Sequence, residues 1–146
     1  MPPYELHRGE FTISTEKVRL QRKAIVAFLS QAYWAQGRTR DVIERSIEHS
    51  LCFGLYAGGR QIGFARVVTD CATFGYLCDV FIDESYRGRG LGKWLLSAVM
   101  GHPGLQGLRR WMLATRDAHE LYRQFGWTDL KDPGRWMEIH DAPPVP

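Results

Sequence analysis

Residues 79–94 read Asp79-Val80-Phe81-Ile82-Asp83-Glu84-Ser85-Tyr86-Arg87-Gly88-Arg89-Gly90-Leu91-Gly92-Lys93-Trp94. An apolar run ends in a loop that holds three glycines and three cations, and a helical pattern follows. The first N–H groups of a helix lack partners within the helix, and the aligned peptide dipoles add partial positive charge there. Glycines let a ligand approach that backbone closely. Arg87, Arg89 and Lys93 add formal charge, with no acid between them. The combination is suited to a pyrophosphate. Two common phosphate loops are excluded by spacing. With Gly92-Lys93 as the Gly-Lys of a GxxxxGK[ST] loop, position 87 is Arg and position 94 is Trp. The GxGxxG pattern started at Gly88 and Gly90 requires glycine where Lys93 stands. What remains is Arg-x-x-Gly-x-Gly on Arg87, Gly90 and Gly92.

Outward from this stretch, apolar spacing predicts a helix within Val18–Tyr33 and a second from Thr39 to His49, with Val42, Ile43 and Ile47 on one face. A short strand is expected around Phe11-Thr12-Ile13. Leu51–Ala57 and Gln61–Thr69 read as strands joined at Gly58-Gly59, where both positions tolerate positive φ. Thr73–Ile82 is a third apolar run. Gly90–Met100 is helical and stops at Gly101-His102-Pro103-Gly104. Arg109–Thr115 reads as a strand and Asp117–Phe125 as a helix. Trp127–Leu130 and Arg135–Ile139 read as two closing strands around Asp132-Pro133-Gly134. This order predicts one α/β (α+β) domain over residues 1–141, with a mixed sheet and a Pro-rich tail at 142–146.

A second segment, Ala118-His119-Glu120-Leu121-Tyr122-Arg123-Gln124-Phe125-Gly126-Trp127, stands about 30 residues beyond the glycine loop. The loop and this segment, in this order, make residues 51–130 resemble the GNAT superfamily of acetyl-CoA-dependent N-acetyltransferases. The segment is similar to that family's A-x-x-L-Y-x-x-x-G-F pattern, with Trp for Phe. The resemblance implies a GNAT-like acyl-CoA N-acyltransferase fold: a mixed, twisted sheet flanked by helices, with acetyl-CoA between two splayed strands. It implies that the main chain of Val80, Phe81 and Ile82 pairs with the pantetheine arm. It implies that Arg87, Gly88, Arg89, Gly90, Leu91, Gly92 and Lys93 hold the pyrophosphate. Thr115 stands where the family often has Asn, which assigns it to the cofactor wall with a shorter reach; Glu84 stands where Pro is common.

Tyr122 falls on the family's general-acid tyrosine, and a phenol can protonate a departing thiolate. A backbone N–H of the splayed strand would serve the oxyanion. Asp79 is a carboxylate inside an apolar strand, which must be paired or solvated. It is read either as an amine anchor or general base, or as a salt-bridge partner of Arg66. Strict alternation puts it on one face with Leu77 and Phe81, and puts Cys78 opposite with Val80 and Ile82. Cys78 is accordingly not expected to be a nucleophile, and transfer is expected to be direct. The family's acceptor site usually involves the first two helices and their connection, here Tyr33-Trp34-Ala35-Gln36-Gly37-Arg38. Tyr33 and Trp34, with Asp79, are the candidate acceptor-binding residues.

The 146 residues suffice to bury roughly two-thirds of the unfolded chain's surface. The net charge of +3, from 19 basic and 16 acidic residues, is too small to imply nucleic-acid binding. It equals the three cations of the loop. No run approaches the ~20 apolar residues of a membrane span. The start lacks the order of a secretory signal, so a cytoplasmic location is expected. Cys52, Cys71 and Cys78 form no CxxC pair, and the scattered histidines suggest no metal site. All three cysteines are expected to be small buried hydrophobes. A small-molecule or peptide amine is the expected acceptor, and a homodimer is left open. The alternative function is a non-catalytic acyl-CoA-binding sensor or regulatory module of the same fold.

Overall fold

The computed structural model describes residues 2–141, so the Pro-rich stretch at 142–146 lies outside the described residues. Six strands form one sheet in the order β1 (Glu5–Arg8), β2 (Phe11–Ser14), β3 (Leu51–Ala57), β4 (Arg60–Thr69), β5 (Phe74–Ile82) and β6 (Arg110–Met112). Neighbours from β1 to β5 are antiparallel, and β5 and β6 are parallel. The sheet is therefore mixed, as expected. Gly58-Gly59 makes the β3–β4 hairpin, which closes at the Ala57–Arg60 pair.

Helices cover both faces. On one, α3 (Leu91–Gly101) buries Leu91, Leu95, Leu96 and Val99 against Phe53, Leu55, Val67 and Leu77. On the other, α1 (Arg22–Leu29) and α2 (Arg40–Glu48) bury Ile25, Leu29, Ile43 and Ile47 against Cys52, Phe64 and Phe81. Each fully buried aliphatic side chain contributes about 1.5–3 kcal/mol of transfer free energy. Thr39 caps α2 by accepting a hydrogen bond from the Val42 N–H at 3.2 Å, and the Asp41–Arg45 pair supports its exposed side. A short helix, α4 (His119–Arg123), follows β6.

Three expectations are corrected. The first helix is shorter than its apolar pattern: only Arg22–Leu29 is α-helical, flanked by 3-10 turns at Lys17–Arg19 and Tyr33–Ala35. β1 was not predicted; Glu-Leu-His-Arg has little apolar content and takes its strand form from pairing with β2. Trp127–Leu130 and Arg135–Ile139 form no strands among the described residues. Among the described residues, the strand edge beside them is β6, which is three residues long and offers too few groups for a ladder. Pro133 opens a 3-10 turn in their path, and Met137 and Ile139 are fully exposed.

Candidate active site

The β5–β6 ladder has only three residue pairs, Phe74–Arg110, Gly75–Trp111 and Tyr76–Met112. Beyond Tyr76 the strands diverge, and among the described residues the β6-side edge of residues 77–82 has no strand partner. This divergence opens a cleft of about 860 Å³, lined by Val80, Phe81, Ile82 and the glycine loop. A smaller pocket of about 280 Å³ lies on the other side of the split, lined by Arg38, Arg66, Cys78 and Asp79. Five residues line both spaces: Tyr33, Trp34, Val80, Ala118 and Tyr122.

The loop geometry follows from its sequence. Gly88 and Gly90 have φ of +81° and +76°, a region that side-chain-bearing residues rarely enter. Gly90 is the N-cap of α3, with no capping side chain and no acid in the first turn, so first-turn N–H groups stay available. Asp83 ties down the loop's start: its carboxylate accepts from the Ser85 N–H at 3.0 Å and the Ser85 hydroxyl at 2.7 Å. Those hydrogen bonds hold its carboxyl below the usual range. Arg87, Gly88, Gly90, Leu91 and Gly92 line the cleft; Arg89 and Lys93 do not. Arg87 Nε donates to the Ile82 carbonyl at 3.1 Å, and the Arg89 guanidinium lies 5.1 Å from the Tyr86 ring centre.

Strict alternation fails in β5. The β4–β5 register shifts between Phe64–Phe81 and Arg66–Cys78, so β5 carries one extra residue there. Asp79 has φ of +53° and forms the bulge. Leu77 consequently packs with α3, whereas Phe81 packs with α1 and α2. Cys78 pairs with Arg66, which pairs with Cys52 of the α1–α2 core, so Cys78 shares Asp79's side of the sheet. Both placements correct the expectation from alternation. Cys78 is still a poor nucleophile, for a different reason: burial pushes its thiol up to about 11. Cys71 is exposed rather than buried, in the turn between β4 and β5.

The Asp79 side chain is only 1% exposed, and Arg66 Nε donates to it at 2.9 Å. The ion pair with Arg66 is thus present, and Arg38 joins it. Oδ1 accepts from Trp34 Nε1 at 3.0 Å and Arg38 Nη1 at 2.9 Å; Oδ2 accepts from Arg38 Nη1 and Arg66 Nε, both at 2.9 Å. These four contacts fill the roughly four lone-pair positions of a carboxylate. Arg66 Nη1 also donates to the Ser50 hydroxyl at 2.9 Å.

Tyr122 stands on α4 where the two spaces meet. Burial, with Tyr33 nearby, raises its phenol above the ordinary range. Trp127 packs edge-on against its ring at 6.1 Å. Tyr33 and Trp34 contact each other edge-on at 5.2 Å, and the Tyr33 hydroxyl accepts from the Arg116 N–H at 3.3 Å. The Thr115 hydroxyl accepts from the Ala118 N–H at 3.1 Å, so it shapes the entry to α4; Thr115 lines the smaller pocket but not the cleft. Phe28, stacked on Phe81 at 3.8 Å, and Arg116, with its guanidinium 3.9 Å from the Tyr33 ring centre, line the cleft without having been predicted. Arg38 lies in the connection between the first two helices, and its pairing with Asp79 is not among the roles the sequence implies. Two buried-strand charges, Arg66 and Asp79, were the available signal for a third partner. Among the described residues, no group of three or more His, Cys, Asp or Glu side chains could hold a metal ion. No described helix is long and apolar enough to cross a membrane.

Comparison with known proteins agrees with this geometry. The family model for the acetyltransferase (GNAT) domain matches residues 48–129. A Gibberella zeae protein named putative acetyltransferase is 34% identical over 89% of this chain and 86% of its own. A crystal structure of a putative GNAT-family acetyltransferase from Xanthomonas campestris pv. campestris is 48% identical, covers 90% of this chain and 93% of its own, and superposes with a TM-score of 0.88. N-acetylglutamate synthase from Neisseria gonorrhoeae, solved with coenzyme A and L-arginine, has a similar fold: TM-score 0.64 at 16% identity, over 93% of this chain and 29% of that one.

Proposed function

The chain belongs to the GNAT acetyltransferase family, and from that premise we propose that it moves an acetyl group from acetyl-CoA to a primary amine by direct attack. One observation carries the reading. The split between β5 and β6 joins a cleft with a glycine-rich, cationic loop to a second, smaller pocket, and Tyr122 stands at the junction. The unpaired edge of Val80–Ile82 suits the amides of a pantetheine arm. The left-handed glycines and the open start of α3 suit a pyrophosphate. Arg89 and Lys93, outside the cleft, serve phosphates at its outer end.

In this reading the amine enters through the smaller pocket, gives up its proton to solvent and attacks the thioester carbonyl. A backbone N–H on the open edge of β5 stabilises the oxyanion. Tyr122 donates its proton to the thiolate as the C–S bond breaks, the nitrogen sheds its second proton to solvent, and the phenol regains a proton from solvent. Its raised phenol favours this role, since the group stays protonated across the physiological range. Asp79 acts as a positioning residue, because its oxygens already hold Trp34, Arg38 and Arg66. The whole described chain works as one domain, and a cytoplasmic site of action fits a diffusible thioester substrate.

The test is thiol release from acetyl-CoA across an amine panel, with CoA binding measured in parallel. Tyr122→Phe should lower kcat by about 10²–10⁴-fold, the usual worth of a positioned general acid. CoA affinity should stay within about 2-fold, since only one hydroxyl is lost from a large contact surface. Absence of CoA binding overturns the proposal. Tight CoA binding without turnover of any amine would support the sensor alternative.

A further inference from the structure

The smaller pocket carries more positive charge than its own architecture needs. Its wall contains two guanidiniums, Arg38 and Arg66, and one buried carboxylate, Asp79. Arg66 alone would neutralise Asp79, from an 11% exposed position and with a second anchor on Ser50. Arg38 is the surplus cation. It meets Asp79 through Nη1 only, and among the described residues its Nε and Nη2 have no hydrogen-bond partner. Its side chain is 28% exposed, while that of Asp79 is 1% exposed. An arriving ligand therefore meets a guanidinium that is already oriented, and a carboxylate that is already sealed. Asp117 also lines this space, but it is exposed and its charge is screened by solvent.

A guanidinium fixed at one nitrogen, with the rest of its fork free, is preorganised for two-point contact with a carboxylate or phosphate. Trp34 is locked by its own hydrogen bond to Asp79 and forms a rigid wall beside it. The volume of about 280 Å³ limits what fits to a small molecule. Resting on the acetyltransferase reading above, we propose that the acceptor is a small amine bearing an anionic group, a carboxylate or a phosphate, and that Arg38 recognises that group. The buried Asp79 does not attract the ammonium. Its charge holds Arg38 in place, so the pocket selects against polyamines and other cationic amines.

The experiment pairs amines of matched length: β-alanine against propylamine, 2-aminoethyl phosphate against ethanolamine, and 1,4-diaminobutane as the cationic member. The anionic member of one pair should have a kcat/KM roughly 10- to 100-fold above its neutral partner, the usual worth of a hydrogen-bonded charge contact. Which pair shows the gap distinguishes carboxylate from phosphate. Arg38→Gln should erase the gap while leaving CoA affinity unchanged, and Arg38→Lys should keep part of it. Equal or faster turnover of the neutral or cationic amines overturns the inference, as does a gap that survives Arg38→Gln. A second readout does not need turnover. With CoA saturating, calorimetry compares N-acetyl-β-alanine and N-acetyl-2-aminoethyl phosphate with N-acetylpropylamine. Tighter, Arg38-dependent binding of an anionic product upholds the pocket assignment even if no amine is acetylated, which would count against the enzymatic reading alone. Equal binding of all three overturns it.

Discussion

Replacing Asp79 by alanine removes the anion from a site where two guanidiniums and an indole converge on it. Breaking a buried ion pair by deleting one partner costs about 3–5 kcal/mol, because the remaining charge is left without compensation. Here one orphaned cation, Arg66, is 11% exposed, and the other, Arg38, is 28% exposed and can turn partly to water. The lower end, about 3 kcal/mol, is therefore appropriate. The backbone adds to this. Asp79 has φ of +53°, which Asp tolerates better than Ala, and alanine there costs about 1 kcal/mol more. A loss of about 4 kcal/mol is a large share of the roughly 5–15 kcal/mol that holds a domain folded. For a chain of this size it corresponds to a fall in Tm of about 8–16 °C. Urea denaturation of Asp79→Ala, read by fluorescence and circular dichroism, measures it. The mechanism also predicts a rescue. Adding Arg66→Met to Asp79→Ala removes the more buried orphan and should restore about 1–2 kcal/mol. A single variant within about 0.5 kcal/mol of the parent would refute the reasoning. So would a double variant less stable than the sum of the two single changes.

Other outcomes follow from the same geometry. Gly90→Ala, at φ of +76°, should cost about 1–2 kcal/mol and weaken acetyl-CoA binding. Gly92→Ala should separate the two effects: its Cβ would meet only Ile82 Cγ1 at 3.9 Å, so Tm should hold or rise while the CoA Kd increases, as calorimetry would show. With Ellman's reagent near pH 8, the exposed Cys71 should react at once. Cys52 and Cys78, pushed up by burial to about 12 and about 11, should react only after denaturation. His102 is buried with its ring lowered below the usual 6.5, and its Nδ1 accepts from the Gly104 N–H at 2.9 Å. The unfolded chain binds that proton more readily, so its contribution is present above about pH 6.5 and is lost as the pH falls. Thermal melts from pH 7.5 to 5 should show a loss that His102→Asn flattens.

The sheet, the hairpin at Gly58-Gly59 and the glycine loop were legible because each is written in local chemistry. β3 shows an uninterrupted apolar run, α2 shows a threonine cap before a periodic stripe, and the loop shows glycines where positive φ is needed. β1 was illegible because Glu5–Arg8 has no apolar alternation and depends on its partner strand. Trp127–Leu130 and Arg135–Ile139 carry aromatic and apolar residues on either side of a Pro-Gly turn, as a closing hairpin would, but among the described residues the chain supplies them only the three-residue edge of β6. Within the site, Tyr122, Tyr33 and Trp34 were identified in sequence and are brought together in space. The sidedness of Cys78 and the partnership of Arg38 with Asp79 were not. Both depend on the bulge and on a contact 41 positions apart along the chain, and no local pattern encodes either.

The extra residue at Asp79 divides β5 into two segments that run out of phase. Upstream, odd-numbered Leu77 faces α3; downstream, even-numbered Val80 and Ile82 do. The upstream part lines the smaller pocket and the downstream part lines the cleft, so the two halves can diverge independently under mutation. Deleting Asp79 would bring the halves into step with Leu77, Val80 and Ile82 still facing α3 and Phe81 still facing α1 and α2, but it would remove the buried carboxylate that holds Arg38 and Arg66. Deletion scanning along β5 should therefore find the fold most tolerant at residues 78–80, where losing one residue keeps the outer side chains on their present faces, with the loss falling on the Arg38–Asp79–Arg66 cluster instead.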